Sequence, residues 1–231
     1  MFANPHRRRA VLLISALAGL LAAVVVPGIL EVAAADAPTE WDGLKKQSGK
    51  RVALLYTRPD SSLAGYKRVR IERLRVSFDK NWKPNQSRDI ARHLSAQDFE
   101  NIKKALADEF AKTFPAELAK GGYQVADAPG DDVLDITPLV IDLYIAAPEG
   151  SSIGRRTAYT ADPGRMTLVA ELRDSVTNQI IARVVDTRAA QWGDTFQMGT
   201  SASNLAAAQR VIALWATALR EALDEAEGRA K

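Results

Sequence analysis

The chain has 231 residues, a formal net charge of +3 and no cysteine. Without cysteine there is no disulfide framework, no thiol chemistry, no Cys-ligated metal and no N-terminal lipid anchor, so a hydrophobic core must hold the fold. The charge is concentrated at the start: removing residues 1–35 takes away Arg7, Arg8, Arg9 and Glu31 and leaves a net charge of about +1. A global polyanion binder is thereby excluded and no nucleic-acid partner is expected, so basic patches are weighed one by one.

The first 35 residues read as an export signal. A basic start, Arg7 to Arg9, precedes an apolar run from Ala10 to Leu30 and the small residues Ala33-Ala34-Ala35. Cleavage after Ala35 fits best and predicts a periplasmic protein. The alternative is an inner-membrane anchor through residues 10–30, long enough to span a bilayer, although Gly19, Pro27 and Gly28 interrupt it. Membrane association follows if the segment stays uncleaved. Residues 36–50 are polar with proline and glycine and read as a linker, leaving 51–231 as one domain.

Val52 to Tyr56 predicts a short strand. Between Tyr66 and Phe78 the apolar positions switch parity, from Val69 and Ile71 to Leu74, Val76 and Phe78. A strand alternates faces with period two, so one extra residue is expected near Glu72-Arg73. The opposite face then carries Arg68, Arg70, Arg73 and Arg75. Ser95 and Asp98 form a capping-box pair opening a helix with the stripe Phe99, Ile102, Leu106 and Phe110. Pro115 is expected to kink or break that helix, and Gly121-Gly122 to end it. Tyr123 to Val125 and Val133 to Ala146 read as strands, with Pro138 marking a bulge or an edge. Residues 147–164 read as a loop. Alternation from Met166 to Leu172, a turn at Asp174 to Gln179 and a return through Arg188 predict a hairpin, with Asn178 suited to positive φ. Residues 203–226 predict a helix burying Leu205, Ala208, Ile212, Trp215, Leu219 and Leu223. The order predicts an α+β domain: an antiparallel-rich β-sheet with two helices packed on one face.

Several stretches resemble the domain-of-unknown-function 3313 family of bacterial envelope proteins, mostly lipoproteins. They are Arg58-Pro59-Asp60-Ser61-Ser62 through Val69, Val76-Ser77-Phe78-Asp79 with Trp82, Leu94-Ser95-Ala96-Gln97-Asp98, Gly122-Tyr123-Gln124-Val125 through Leu134, and Ala170 to Ser175 with Thr177-Asn178. The resemblance implies an envelope location, no established activity and no catalytic residues to carry over. The chain departs from the family in lacking the lipidated cysteine and in having Asn178 where glycine is expected.

Chemistry is sparse. His6 lies in the signal, and His93 alone cannot form a two-His metal site. No catalytic elbow or phosphate loop is present, and Gly150 to Arg156 lacks the spacing for one. No cofactor is expected. Asp131, Asp132 and Asp135 could serve a hydrolase of envelope polymers, or simply form a strand-entry turn. The arginine row Arg68, Arg70, Arg73 and Arg75 is the strongest binding candidate, suited to anionic lipid, a cell-wall component or an acidic envelope protein. Trp82 and Trp192 either join it as contact residues or plug the ends of the core. The resulting expectation is an exported, non-enzymatic binding, accessory or scaffold factor. The alternatives are the Asp-dependent hydrolase and a structural subunit of an envelope oligomer.

Overall fold

The computed structural model describes residues 37–82, 94–145, 164–189 and 201–229, with side chains of the last segment from 205 onward. The export segment, His93, Gly150 to Arg156 and Trp192 lie outside the described residues.

Among the described residues nine strands form one mixed, mostly antiparallel sheet, and two helices accompany it. In chain order they are β1 (Glu40–Trp41), β2 (Leu44–Gln47), β3 (Leu54–Thr57), β4 (Arg68–Ile71), β5 (Arg75–Phe78), α1 (Ala96–Lys120), β6 (Gln124–Val125), β7 (Val133–Tyr144), β8 (Arg165–Asp174), β9 (Ile180–Ala189) and α2 (Ser201–Ala226). The sheet order is β1-β2-β3-β9-β8-β7-β4-β6, with β5 also paired to β7. The pairs of β4 and β5 with β7, and of β6 with β4, are parallel.

Both helices cover one face, as the sequence predicted. Leu106, Phe110 and Phe114 of α1 and Ile212, Trp215 and Ala216 of α2 bury against Val140, Met166, Leu168 and Ala170 of the sheet. A continuing cluster joins Leu118 and Leu223 to Val69, Leu134, Ile136 and Leu172. The alternation of β8 puts Met166, Leu168, Ala170 and Leu172 on that face. The β8–β9 turn carries Asn178 at φ 58°, and Asp174 closes it by accepting from the Thr177 amide at 2.7 Å.

Three expectations need correction. Residues 40–47, read as linker, form the β1–β2 hairpin, turning on Asp42 and Gly43 with φ of 53° and 74°. Leu44 is fully buried with Leu54 and Tyr56 in a cluster of its own, so this segment adds a small core.

The second concerns Pro115: of the kink or break expected there, the break does not occur, and the proline sits inside α1 without ending it. The missing hydrogen bond and ring clash cost about 3 kcal/mol. Phe110, Phe114 and Leu118 are all buried on either side of it, and each contributes about 1.5–3 kcal/mol, so packing outweighs the break. Finally, Leu205 of the predicted α2 stripe is 40% exposed, while Ala207 and Val211 take inward positions.

Ser95 caps α1 with both arms of the box in place: the Asp98 amide donates to Ser95 Oγ and the Ser95 amide to the Asp98 carboxylate.

Candidate functional site

β4 and β5 are one strand interrupted by one extra residue. Arg68 pairs with Val133 and Ile71 with Ile136, but Arg75 pairs with Leu139. The chain therefore advances four residues from Ile71 to Arg75 while β7 advances three, which is the insertion that the parity switch predicted. Pro138 explains its position. The carbonyls of Asp132 and Ile136 accept from β4, so even-numbered β7 residues turn their backbone groups toward that side. Pro138 has no N–H to offer there, and the ladder breaks opposite it.

The break divides the arginine row. Arg68 and Arg70 lie on the face away from the helices and are neutralised by β7. Arg68 Nε donates to both Asp132 oxygens at 3.0 and 3.1 Å, and Arg70 Nε donates to Asp135 Oδ1 at 2.8 Å. The fork of Arg68 holds the Asp132 carboxyl below the usual carboxylate range. Arg73 turns instead to α1, with its guanidinium 3.7 Å from Asp108. Arg75 is exposed and has no carboxylate partner among the described residues. The row of four arginines is thus divided: two are paired in the sheet and two reach the rim.

Arg73 and Arg75 meet cations that the sequence did not bring to attention. Together with Leu74, Val76, Glu100, Lys103, Lys104 and Ala107 they line a groove of about 370 Å³ between β5 and α1. Its floor is apolar and its rim carries four cations. Lys103 pairs with Glu100, and Lys104 with Asp108. Exposed pairs of this kind are held weakly because water screens them, so an incoming anion can exchange them. The groove keeps a positive balance because Arg75 has no carboxylate partner among the described residues. Lys103 and Lys104 were legible only as the polar flank of a helix; tertiary packing alone sets that flank beside the β5 edge.

Trp82 serves the core. Its ring stacks on Phe78 at 4.9 Å and meets Phe99 edge-on at 5.8 Å, while Nε1 donates to the Ile145 carbonyl at 2.9 Å. This is the plug reading, with the polar handle satisfied. Asp131 is exposed at the strand entry, and Asp132 and Asp135 are each engaged by an arginine. A glycosidase acid needs a carboxyl raised toward neutrality; the Arg68 fork moves Asp132 the other way. Among the described residues no group of three or more His, Asp or Glu side chains could hold a metal. No helix among them is long and apolar enough to cross a membrane.

A family model described as "Protein of unknown function (DUF3313)" matches residues 34–219. No curated protein matches. Three solved structures are similar in outline. A variant of the PelC dodecamer from Paraburkholderia phytofirmans is 12% identical, with 77% of this chain and 95% of that one covered and a TM-score of 0.37. A minor lipoprotein from Acinetobacter baumannii is 15% identical, with 71% and 95% covered and a TM-score of 0.36. A Xanthomonas campestris protein assigned to DUF330 is 16% identical, with 71% and 86% covered and a TM-score of 0.38. At that level of likeness they decide nothing about what this chain does.

Proposed function

Starting from the family of proteins of unknown function DUF3313, to which this chain belongs, we propose that it is an exported envelope protein that works by binding, not catalysis. Its docking surface is the cationic groove between β5 and α1. The observation that carries this reading is the convergence of Arg73, Arg75, Lys103 and Lys104 on one groove, with Arg75 uncompensated among the described residues. A surface with an apolar floor and a cationic rim selects an anionic partner and gives binding that weakens with salt. The N-terminal sequence, with its basic start and apolar run, supports export and a periplasmic location. An accessory or scaffold role follows from a site that holds a partner without attacking it.

The test is co-sedimentation with washed bacterial envelopes, comparing the parent protein with an Arg75→Glu, Lys104→Glu variant. Both positions are exposed, so the fold should survive. The parent should sediment at low salt and be released as salt rises, while the variant stays in solution. Equal sedimentation of the two would remove the groove from the account.

A further inference from the structure

The groove borders a strand edge that no other described strand pairs, and that edge specifies the partner further. β6 lies beyond β4 and ends there: the Ala126 amide donates to the Val69 carbonyl, and no strand continues beside β5 among the described residues. The inserted residue reverses which backbone groups face outward. In β4 the Arg68 amide donates to β7 and the Val69 carbonyl faces out; past the insertion the Asp79 amide donates to Leu143. Odd-numbered β5 residues therefore serve the ladder, and the N–H and C=O of Val76 and Phe78 point to the free side. No backbone hydrogen bond joins either group to another described residue outside the sheet ladder.

We propose that β5 accepts an extended acidic polypeptide segment of another envelope protein as an added strand, its acidic side chains meeting Arg73, Arg75, Lys103 and Lys104. Strand addition obtains affinity from main-chain hydrogen bonds and specificity from alternate side chains. Here the alternation fits a segment whose apolar residues face Leu74, Val76 and Ala107 and whose acidic residues face the rim. The same cations disfavour a second copy of this chain pairing edge to edge, because like charges would oppose one another. The inference rests on the proposed groove and names the class of its partner.

The probes are a fluorescent peptide of alternating Glu and Val, the same peptide N-methylated on alternate amides, and phosphatidylglycerol vesicles. The Glu/Val peptide should bind, and N-methylation should weaken it about tenfold by removing main-chain donors. Val76→Pro removes the outward N–H without touching the ladder and should weaken the unmodified peptide similarly. The methylated peptide gives the same information should that variant fail to fold. Equal binding of both peptides would overturn strand addition. Vesicle binding that depends on Arg75, without peptide binding, would overturn it while leaving the anionic groove standing. Binding of neither probe would overturn both.

Discussion

Asp186 is the test of how the two layers are joined. It is 2% exposed and sits on β9. Its Oδ2 accepts from Trp215 Nε1 of α2 at 2.8 Å and from Arg188 Nε at 2.6 Å, and its Oδ1 accepts from the Ala53 amide at 2.8 Å. One carboxylate thus ties the second helix to the sheet and to the entry of β3. Asp186→Ala leaves the buried Trp215 N–H without an acceptor, a penalty of about 1–3 kcal/mol. The amide of Ala53 and the guanidinium of Arg188 reach water more readily, so each loses only its net bond, about 1 kcal/mol. The sum is about 3–5 kcal/mol. For a chain of this size that lowers Tm by about 6–20 °C. Urea unfolding followed by Trp fluorescence and circular dichroism gives the number, with Trp215→Phe and the double variant completing a cycle. Removing the donor as well should recover about 1 kcal/mol or more. A loss below 1 kcal/mol, with no coupling between the two sites, would refute the reasoning.

Four further outcomes follow from the same geometry. Arg75→Ala should leave urea stability unchanged within about 0.5 kcal/mol, because the side chain is exposed and has no carboxylate partner among the described residues; a larger loss would mean that it holds the fold. Pro115→Ala should stabilise by up to about 3 kcal/mol, since the helix already runs through that position, and an unchanged midpoint would show the ring to be needed. Asn178→Val should cost about 1–2 kcal/mol by forcing a β-branched residue to positive φ, while Asn178→Gly should be neutral or better, as read from thermal melts. Glu171 gives a pH dependence. Burial raises its pKa, but hydrogen bonds from Arg183 and Arg173 outweigh that and hold it below the usual glutamate value. A carboxyl depressed in the folded state contributes stability above its unfolded pKa, about 4.3, and loses it as pH falls through the folded value. Melts from pH 7 to pH 3 should therefore show a steeper acid loss for the parent than for Glu171→Gln.

Local rules written over few residues were legible in the sequence. The Ser95–Asp98 box, the positive φ at Asn178 and the alternation from Met166 to Leu172 each need only neighbours. So does the extra residue between Ile71 and Arg75, because parity of apolar positions is a strictly local count. The β1–β2 hairpin was missed although Asp42-Gly43 is a strong turn signal, since its strands are only two and four residues long and the buried partners of Leu44 lie downstream. At Pro115 the sequence left a kink and a break open, and the break does not occur because helix propensity is a local cost that distant packing overrides. The candidate site was half legible. Arginines could be counted on a strand, but the pairing of Arg68 with Asp132 and Arg70 with Asp135 depends on the parallel register of β4 with β7. The arrival of Lys103 and Lys104 at the rim depends on how α1 packs. Charge patterns name candidates; register and packing decide which charges remain available.

The central claim is tested most directly by mapping where an anionic ligand lands. Amide chemical shifts of the labelled protein, followed during titration with poly-L-glutamate, report every backbone position at once. Binding in the groove should give saturable shifts confined to residues 73–78 and 100–107, abolished by salt and by Arg75→Glu with Lys104→Glu. Shifts centred on Arg68 and Arg70, spread evenly over the surface, or absent at every concentration would contradict it.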